Sequence, residues 1–93
     1  MALNHDFSEI LKSKLKKLFI KDKRRYNILM KKIEEISFSD EFTIEHYKNL
    51  RHSLKGEKRV HIDKSFVLTF KYIKEKKFIL FSDFGHHDSI YRI

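Results

Sequence analysis

Four of the six histidines in this 93-residue chain fall in two short pieces of its second half. The first piece runs from His52 to His61 and includes Lys55, Lys58 and Arg59. The second runs from His86 to Arg92 and includes His87 and Tyr91. These residue types are suited to cutting RNA without a metal. In that reaction the ribose 2′-hydroxyl attacks its own phosphate in line. It needs a base for the hydroxyl, an acid for the leaving oxygen and fixed positive charge for the developing phosphorane. Imidazole is the natural acid or base near neutral pH, and lysine and arginine supply the charge.

Spacing sharpens the set. Arg59, His61 and Asp63 are two residues apart, so an extended strand points them to one face. His87 and Tyr91 are four apart, so one helical turn aligns them. His52, Lys55 and Lys58 belong to the loop that enters the strand. Taken singly, a histidine in a small basic domain is more often a surface residue, and His5 and His46 read that way. Phe78, Phe81 and Phe84 have the alternation of core residues rather than of base-stacking platforms. Co-location on one sheet face is what raises His61 and His87 above the rest. No metal site is expected: His86 and His87 are adjacent, there is no His-Glu-x-x-His, and cysteine is absent.

The elements that must position these residues can be traced in order. Leu3, His5 and Phe7 alternate with polar neighbours and permit a brief first strand. Asp6 or Ser8 can cap the helix that follows, with Glu9 completing a capping box with Asp6. Phe7, Ile10, Leu11, Leu15, Leu18 and Phe19 mark one helical face. Asp22 caps a second helix, striped by Tyr26, Leu29, Met30, Ile33 and Ile36 to about Ser37. So short a link makes the two helices an antiparallel hairpin. Residues 37–50 are irregular, with room for a short third helix held down by Phe42, Ile44, Tyr47 and Leu50. Lys58 to Asp63 alternates, with Val60 and Ile62 opposite Arg59, His61 and Asp63. The next strand sets Phe66, Leu68, Phe70 and Tyr72 against Val67, Thr69, Lys71 and Ile73. Lys74-Glu75-Lys76 is a hairpin link, and Lys77 to Asp83 forms another strand. Gly85 allows a sharp turn, and the tail from Asp88 is a last short strand or one helical turn.

Composition narrows the class. The length fits one domain over residues 1–93 with one modest core, to which nine Phe and four Tyr contribute. No apolar run approaches a membrane span, and no secretory h-region opens the chain. With two glycines, phosphate cradles of the P-loop or dinucleotide type are excluded. The absence of cysteine suits a cytoplasmic protein. The net charge of +8 favours a polyanionic partner. Ten of the basic residues lie between Lys12 and Lys32 with only Asp22 among them. Most of these read as a solvated face, with a footprint on RNA phosphates as the functional alternative.

The chain resembles the RelE/ParE superfamily of type II toxin–antitoxin toxins. Phe7-Ser8-x-x-Leu11-x-x-x-Leu15-Lys16-Lys17-Leu18 is similar to that superfamily's entry from first strand to first helix. His52-x-Leu54-Lys55-Gly56 followed by Arg59-x-His61-Ile62, and the terminal His87-x-x-x-Tyr91, resemble its YafQ/RelE mRNA interferase branch. The resemblance implies an α+β, microbial-ribonuclease-like fold. In it two antiparallel N-terminal helices pack on a small, mainly antiparallel sheet of three or four strands. It implies metal-independent, cofactor-free cleavage of mRNA on the ribosome, and a monomeric toxin neutralised in a heteromeric complex with a cognate antitoxin. It makes His52, His61, His87 and Tyr91 the catalytic candidates, with Lys55, Lys58, Arg59 and Arg92 binding RNA phosphate. Ser65 stands near the branch's catalytic Asp, which leaves Asp63 as the substitute acidic partner. A ParE-type gyrase poison that cuts no RNA and a catalytically inactive basic RNA-binding module are the alternative readings.

Overall fold

The computed structural model describes residues 3–50 and 56–90. Strand β1 (Asn4–Phe7) leads into helices α1 (Glu9–Lys21) and α2 (Lys23–Ser37), then the short α3 (Glu41–Glu45). Strands β2 (Lys58–Ile62), β3 (Phe66–Ile73) and β4 (Phe78–His86) follow, and α4 (His87–Ile90) closes the described chain. The sheet order is β1-β4-β3-β2; β1 pairs with β4 in parallel, and the other two pairings are antiparallel. The expected α+β arrangement of a helix hairpin on a small mainly antiparallel sheet is the one observed.

Local chemistry sets the helix boundaries. Of the two candidate caps for α1, Ser8 serves: its hydroxyl accepts from the Leu11 amide at 3.1 Å. Asp22 ends α1 and caps α2, accepting from the Arg25 amide at 3.1 Å, so the hairpin turns on one residue. Asp40 caps α3 through the Thr43 amide at 2.7 Å. These contacts hold the Asp40 carboxyl below its ordinary range, chiefly through the backbone hydrogen bond of Thr43.

One sheet face carries the core. Leu11, Leu29, Ile33 and Ile36 of the helices and Ile44 of α3 pack against Ile62, Leu68, Phe70, Ile79, Phe81 and Phe84. Burying side chains of this size contributes roughly 1.5–3 kcal/mol each before entropy is counted. The predicted helical stripes are partly corrected. Ile10 is 62% exposed and Phe19 46%, so the buried edge of α1 is Leu11, Leu15 and Leu18. Phe42, expected as an anchor, is 75% exposed and lies against His46, while Ile44 and Tyr47 face inward.

Gly85 makes no sharp turn. It lies within β4, whose ladder runs on to the Phe66–His86 pair, and the Ile90 side chain approaches it at 3.5 Å. Left-handed conformations occur instead at Asp63 (φ 47°) and Lys64 (φ 66°), in the turn between β2 and β3, and also at Gly56 (φ 70°) and Lys77 (φ 50°). One irregularity interrupts β4. Thr69 pairs with Asp83 while Phe70 pairs with Phe81, which leaves Ser82 as the extra residue of a bulge.

Candidate active site

The face of the sheet opposite the helices is built by alternation along β2 and β3. Because Val60 and Ile62 turn to the core, Arg59 and His61 are left on the open face. On β3 the same parity puts Val67 and Thr69 there, and both are buried although Val67 takes no part in the helix-side core. Register then aligns two rows. Arg59 pairs with Thr69 and Thr69 with Asp83; His61 pairs with Val67 and Val67 with Gly85.

His87 lies two residues beyond the second row, at the start of α4. β4 finishes at His86, and the His87 amide donates to the Ser65 carbonyl at 2.7 Å. The turn after β2 therefore holds the start of α4 beside the strand that carries His61. The His61 and His87 rings lie nearly parallel, 6.0 Å between centroids and 19° between planes. Both side chains are exposed to solvent. The His87 Nδ1 atom lies 3.6 Å from an Asp88 carboxylate oxygen. Two residues 26 positions apart in sequence are thus brought face to face by register and one backbone hydrogen bond.

Two predicted site residues are placed elsewhere. Strand β2 ends at Ile62, so the period of two does not reach Asp63. The left-handed backbone at Asp63 turns its carboxylate to α2, 2.9 Å from an Arg24 nitrogen and 3.4 Å from Arg25 Nε. It is a tie between turn and helix, not the partner of His61. Lys58 shares the parity of Val60 and Ile62, opposite to that of Arg59. Its ammonium donates to the carbonyls of Glu45 and Tyr47, both at 3.1 Å, and to Asn49 Oδ1 at 3.2 Å. All three of its donors are engaged, so it fastens the segment after α3 rather than offering a phosphate contact. His52, Lys55, Tyr91 and Arg92 lie outside the described residues.

A carboxylate that the sequence reading left aside appears on the open face. Ser82 Oγ donates to Glu57 Oε2 at 2.6 Å and lies 2.8 Å from Thr69 Oγ1. The Ser82 carbonyl accepts from Ser8 Oγ at 2.5 Å, which locks the bulge to the α1 cap. Glu57 was legible in one respect: it continues the alternation of Arg59 and His61 backwards by two. What no local pattern carries is that Ser82, 25 residues on, holds it.

Behind the turn, the Arg25 guanidinium lies 4.1 Å from the centre of the Phe66 ring, and Phe66 stacks on Phe84 at 5.4 Å. His5 packs edge-on to Phe7 and Phe81, and His46 lies against Phe42, so neither joins the pair. Among the described residues no group of three or more histidine, aspartate or glutamate side chains could hold a metal ion. No helix among them is long and apolar enough to cross a membrane.

No model of a known protein family matches the chain. The Methanocaldococcus jannaschii protein named "Putative toxin RelE4" is 50% identical over 78 residues, covering 84% of this chain and 79% of that one. A Methanosarcina mazei protein of uncharacterised role is 41% identical over 81 residues, covering 87% and 90%. Among solved structures, the free E. coli toxin RelE, in a form with two arginine-to-alanine substitutions, superimposes with a TM-score of 0.72. It is 26% identical, over 98% of this chain and 92% of that one. The toxin–antitoxin complex RelBE of E. coli gives a TM-score of 0.62 at 20% identity, over 91% and 96%, which is a likeness of fold alone. These relatives do not bear on the YafQ-type branch.

Proposed function

This chain belongs to the RelE family of toxins, and from that premise we propose that it is a metal-independent endoribonuclease acting on ribosome-bound mRNA. One observation carries the reading: two solvent-facing imidazoles, His61 and His87, stand 6.0 Å apart on the open face of the sheet. That spacing lets one phosphodiester lie across the edges of both rings. The two rings are the proton-transfer groups. Arg59, on the same strand face as His61, steadies the phosphate through its fork of donors. By the family resemblance Tyr91 and His52 are further catalytic candidates, and Lys55 and Arg92 further phosphate-binding candidates. The net charge of +8 draws the chain to ribosomal RNA. Its place of action is then the cytoplasm.

The partner that restrains it is a cognate antitoxin, by analogy with the intact E. coli complex. The gyrase-poison reading finds no feature of its own in the site, since that mode needs no acid–base pair. The deciding experiment is induction in cells, with mRNA 5′ ends mapped separately in ribosome-bound and free RNA. New ends confined to the ribosome-bound pool, lost with His61→Ala and with His87→Ala in folded protein, are expected. Growth arrest with intact mRNA and stalled supercoiling would overturn the proposal in favour of the gyrase reading.

A further inference from the structure

The His87 ring can face His61 only if the backbone of His87 aims it there. That aim is set by two dihedral angles, and so by the peptide groups on either side of the His87 Cα. The first peptide is held by the bond from the His87 amide to the Ser65 carbonyl at 2.7 Å. The second is held by the neighbouring histidine: the Asp88 amide donates to His86 Nδ1 at 3.2 Å.

His86 stands directly before the first residue of α4. Its ring does for that opening turn what a serine or asparagine oxygen does in an ordinary cap. A backbone N–H can only donate, so Nδ1 must accept. The neutral ring therefore keeps its proton on Nε2, and a doubly protonated ring has no acceptor left to offer. From this geometry we infer that His86 is a positioning residue of the reaction: its neutral ring closes the first turn of α4 and aims His87 at His61, and protonation releases that turn. The role rests on the ribonuclease reading given above.

The groups around His86 decide what protonation does. Its side chain is half exposed, so protons reach it freely. The ring lies edge-on to Phe66 at 5.6 Å, and the Arg25 guanidinium lies over the same Phe66 ring. Lys14, Lys17 and Lys21 of α1 line the cleft that His86 shares with α4, and Lys14 is paired with Asp83. His87 follows in the chain. The nearby anion is Asp88, whose carboxylate oxygen is 3.8 Å from Nδ1. A protonated ring can turn to that carboxylate, but Asp88 is 88% exposed and such a contact is screened. Protonation therefore exchanges a cap for a weak ion pair in a basic cleft. Imidazole changes charge between about pH 5 and 8, the range in which the His61–His87 pair itself transfers protons. The acid side of the pH profile then contains a contribution from a residue that never touches RNA.

The test compares His86→Ala with His86→Asn in the full-length protein. Both remove the ring from Phe66, but only asparagine keeps a side-chain acceptor, one that does not titrate in this range. Exchange of the Asp88 amide is followed by NMR from about pH 5.5 to about pH 8 and scaled to that of an unstructured chain. In the unmodified protein, protection should fall about 5-fold across that range as the pH drops, the factor that losing one cap implies. It should stay constant in His86→Asn and be low throughout in His86→Ala. Single-turnover cleavage of ribosome-bound mRNA should follow the same pattern. Near the alkaline end His86→Ala should be slower by about 5-fold and asparagine should restore the rate. Near the acidic end His86→Asn should outpace the unmodified chain by a similar factor. Undiminished Asp88 protection in His86→Ala, or the same pH response in His86→Asn as in the unmodified chain, overturns the assignment while leaving the ribonuclease reading intact. Failure of the unmodified chain to cleave ribosome-bound mRNA overturns that reading and the role in catalysis with it, and the exchange measurement still decides whether His86 closes the turn.

Discussion

Replacing Asp63 separates a turn that holds the site from an acid that works in it. Its carboxylate ties the β2–β3 turn to α2 through Arg24 at 2.9 Å and Arg25 at 3.4 Å. Arg24 is 68% exposed, so solvent screening leaves that contact worth a few tenths of a kcal/mol. The Arg25 side chain is 25% exposed and that of Asp63 21%, so their contact is worth more, and the pair of contacts about 1 kcal/mol in all. An asparagine at this position would keep the left-handed backbone, which that residue type tolerates well. Asp63→Asn should therefore lower Tm by about 4–8 °C, as about 1 kcal/mol does in a domain of this size. Asp63→Ala loses the same contacts and adds the left-handed penalty of about 1–2 kcal/mol, so it should melt lower still. Asp63→Gly should recover the backbone part, less the entropy glycine itself costs. Melts followed by circular dichroism at low salt and at about 1 M salt, where the Debye length is about 3 Å, give the readout. The gap between the asparagine variant and the unmodified chain should shrink with salt, and the gap between the alanine and asparagine variants should not. Cleavage should weaken in all three, because the same turn carries the Ser65 carbonyl that holds His87, but the pH profile should keep its shape. Equal melting of the alanine and asparagine variants would refute the strained-turn argument. Loss of one limb of the pH profile in Asp63→Asn would return Asp63 to the chemistry.

Further outcomes follow from contacts of the same kind. Lys58→Met should cost about 1–3 kcal/mol in urea unfolding, since two backbone carbonyls and an amide oxygen lose their donor, yet leave the salt slope of RNA binding unchanged. Arg59→Gln should reduce that slope by about 1. Phe70→Ala removes a fully buried ring and should cost about 3–5 kcal/mol, a large share of a small domain's stability, read as a lowered urea midpoint. The Asp40 carboxyl is depressed in the folded chain. Its contribution is therefore full above the unfolded carboxylate pKa near 3.9 and is lost as pH falls through the lower folded value. Asp40→Asn should flatten that acid limb of the stability curve. Tyr72 is raised, by desolvation first and then by Glu41 and Glu45, so its part in alkaline stability runs the other way. That part is complete below about pH 10 and fades above it, and Tyr72→Phe should remove the fading. Its buried hydroxyl has no hydrogen-bond partner among the described residues, so the same variant should not lower Tm.

What could be read from the residues follows the range of the forces involved. Ser8 and Asp22 announce their helices because capping acts over three residues. The parity of Val60 and Ile62 set His61 on the open face, because a strand alternates. His61 opposite His87 was a juxtaposition the strand pattern could anticipate, but the 6.0 Å contact depends on the Ser65 carbonyl and a turn of left-handed residues. Asp63 and Lys58 were misplaced for a related reason. Alternation says where a side chain points only while the strand lasts, and not which acceptors its far end finds. Asp63 lies one residue beyond the strand, and a lysine stem is long enough to reach α3. Glu57 was missed because its partner is supplied by a bulge on a strand two places away.

The parallel pairing of β1 with β4 also bears on when the His61–His87 face can be assembled. Its first strand joins residues some 74 positions further on, and β4 lies between β1 and β3 in the sheet. During synthesis the helix hairpin can form early from local contacts, but the four-stranded sheet it covers is complete only once residues 78–86 have been added. His87 follows directly after them. A growing chain therefore cannot bring His61 and His87 face to face until β4 and the residue after it have been added.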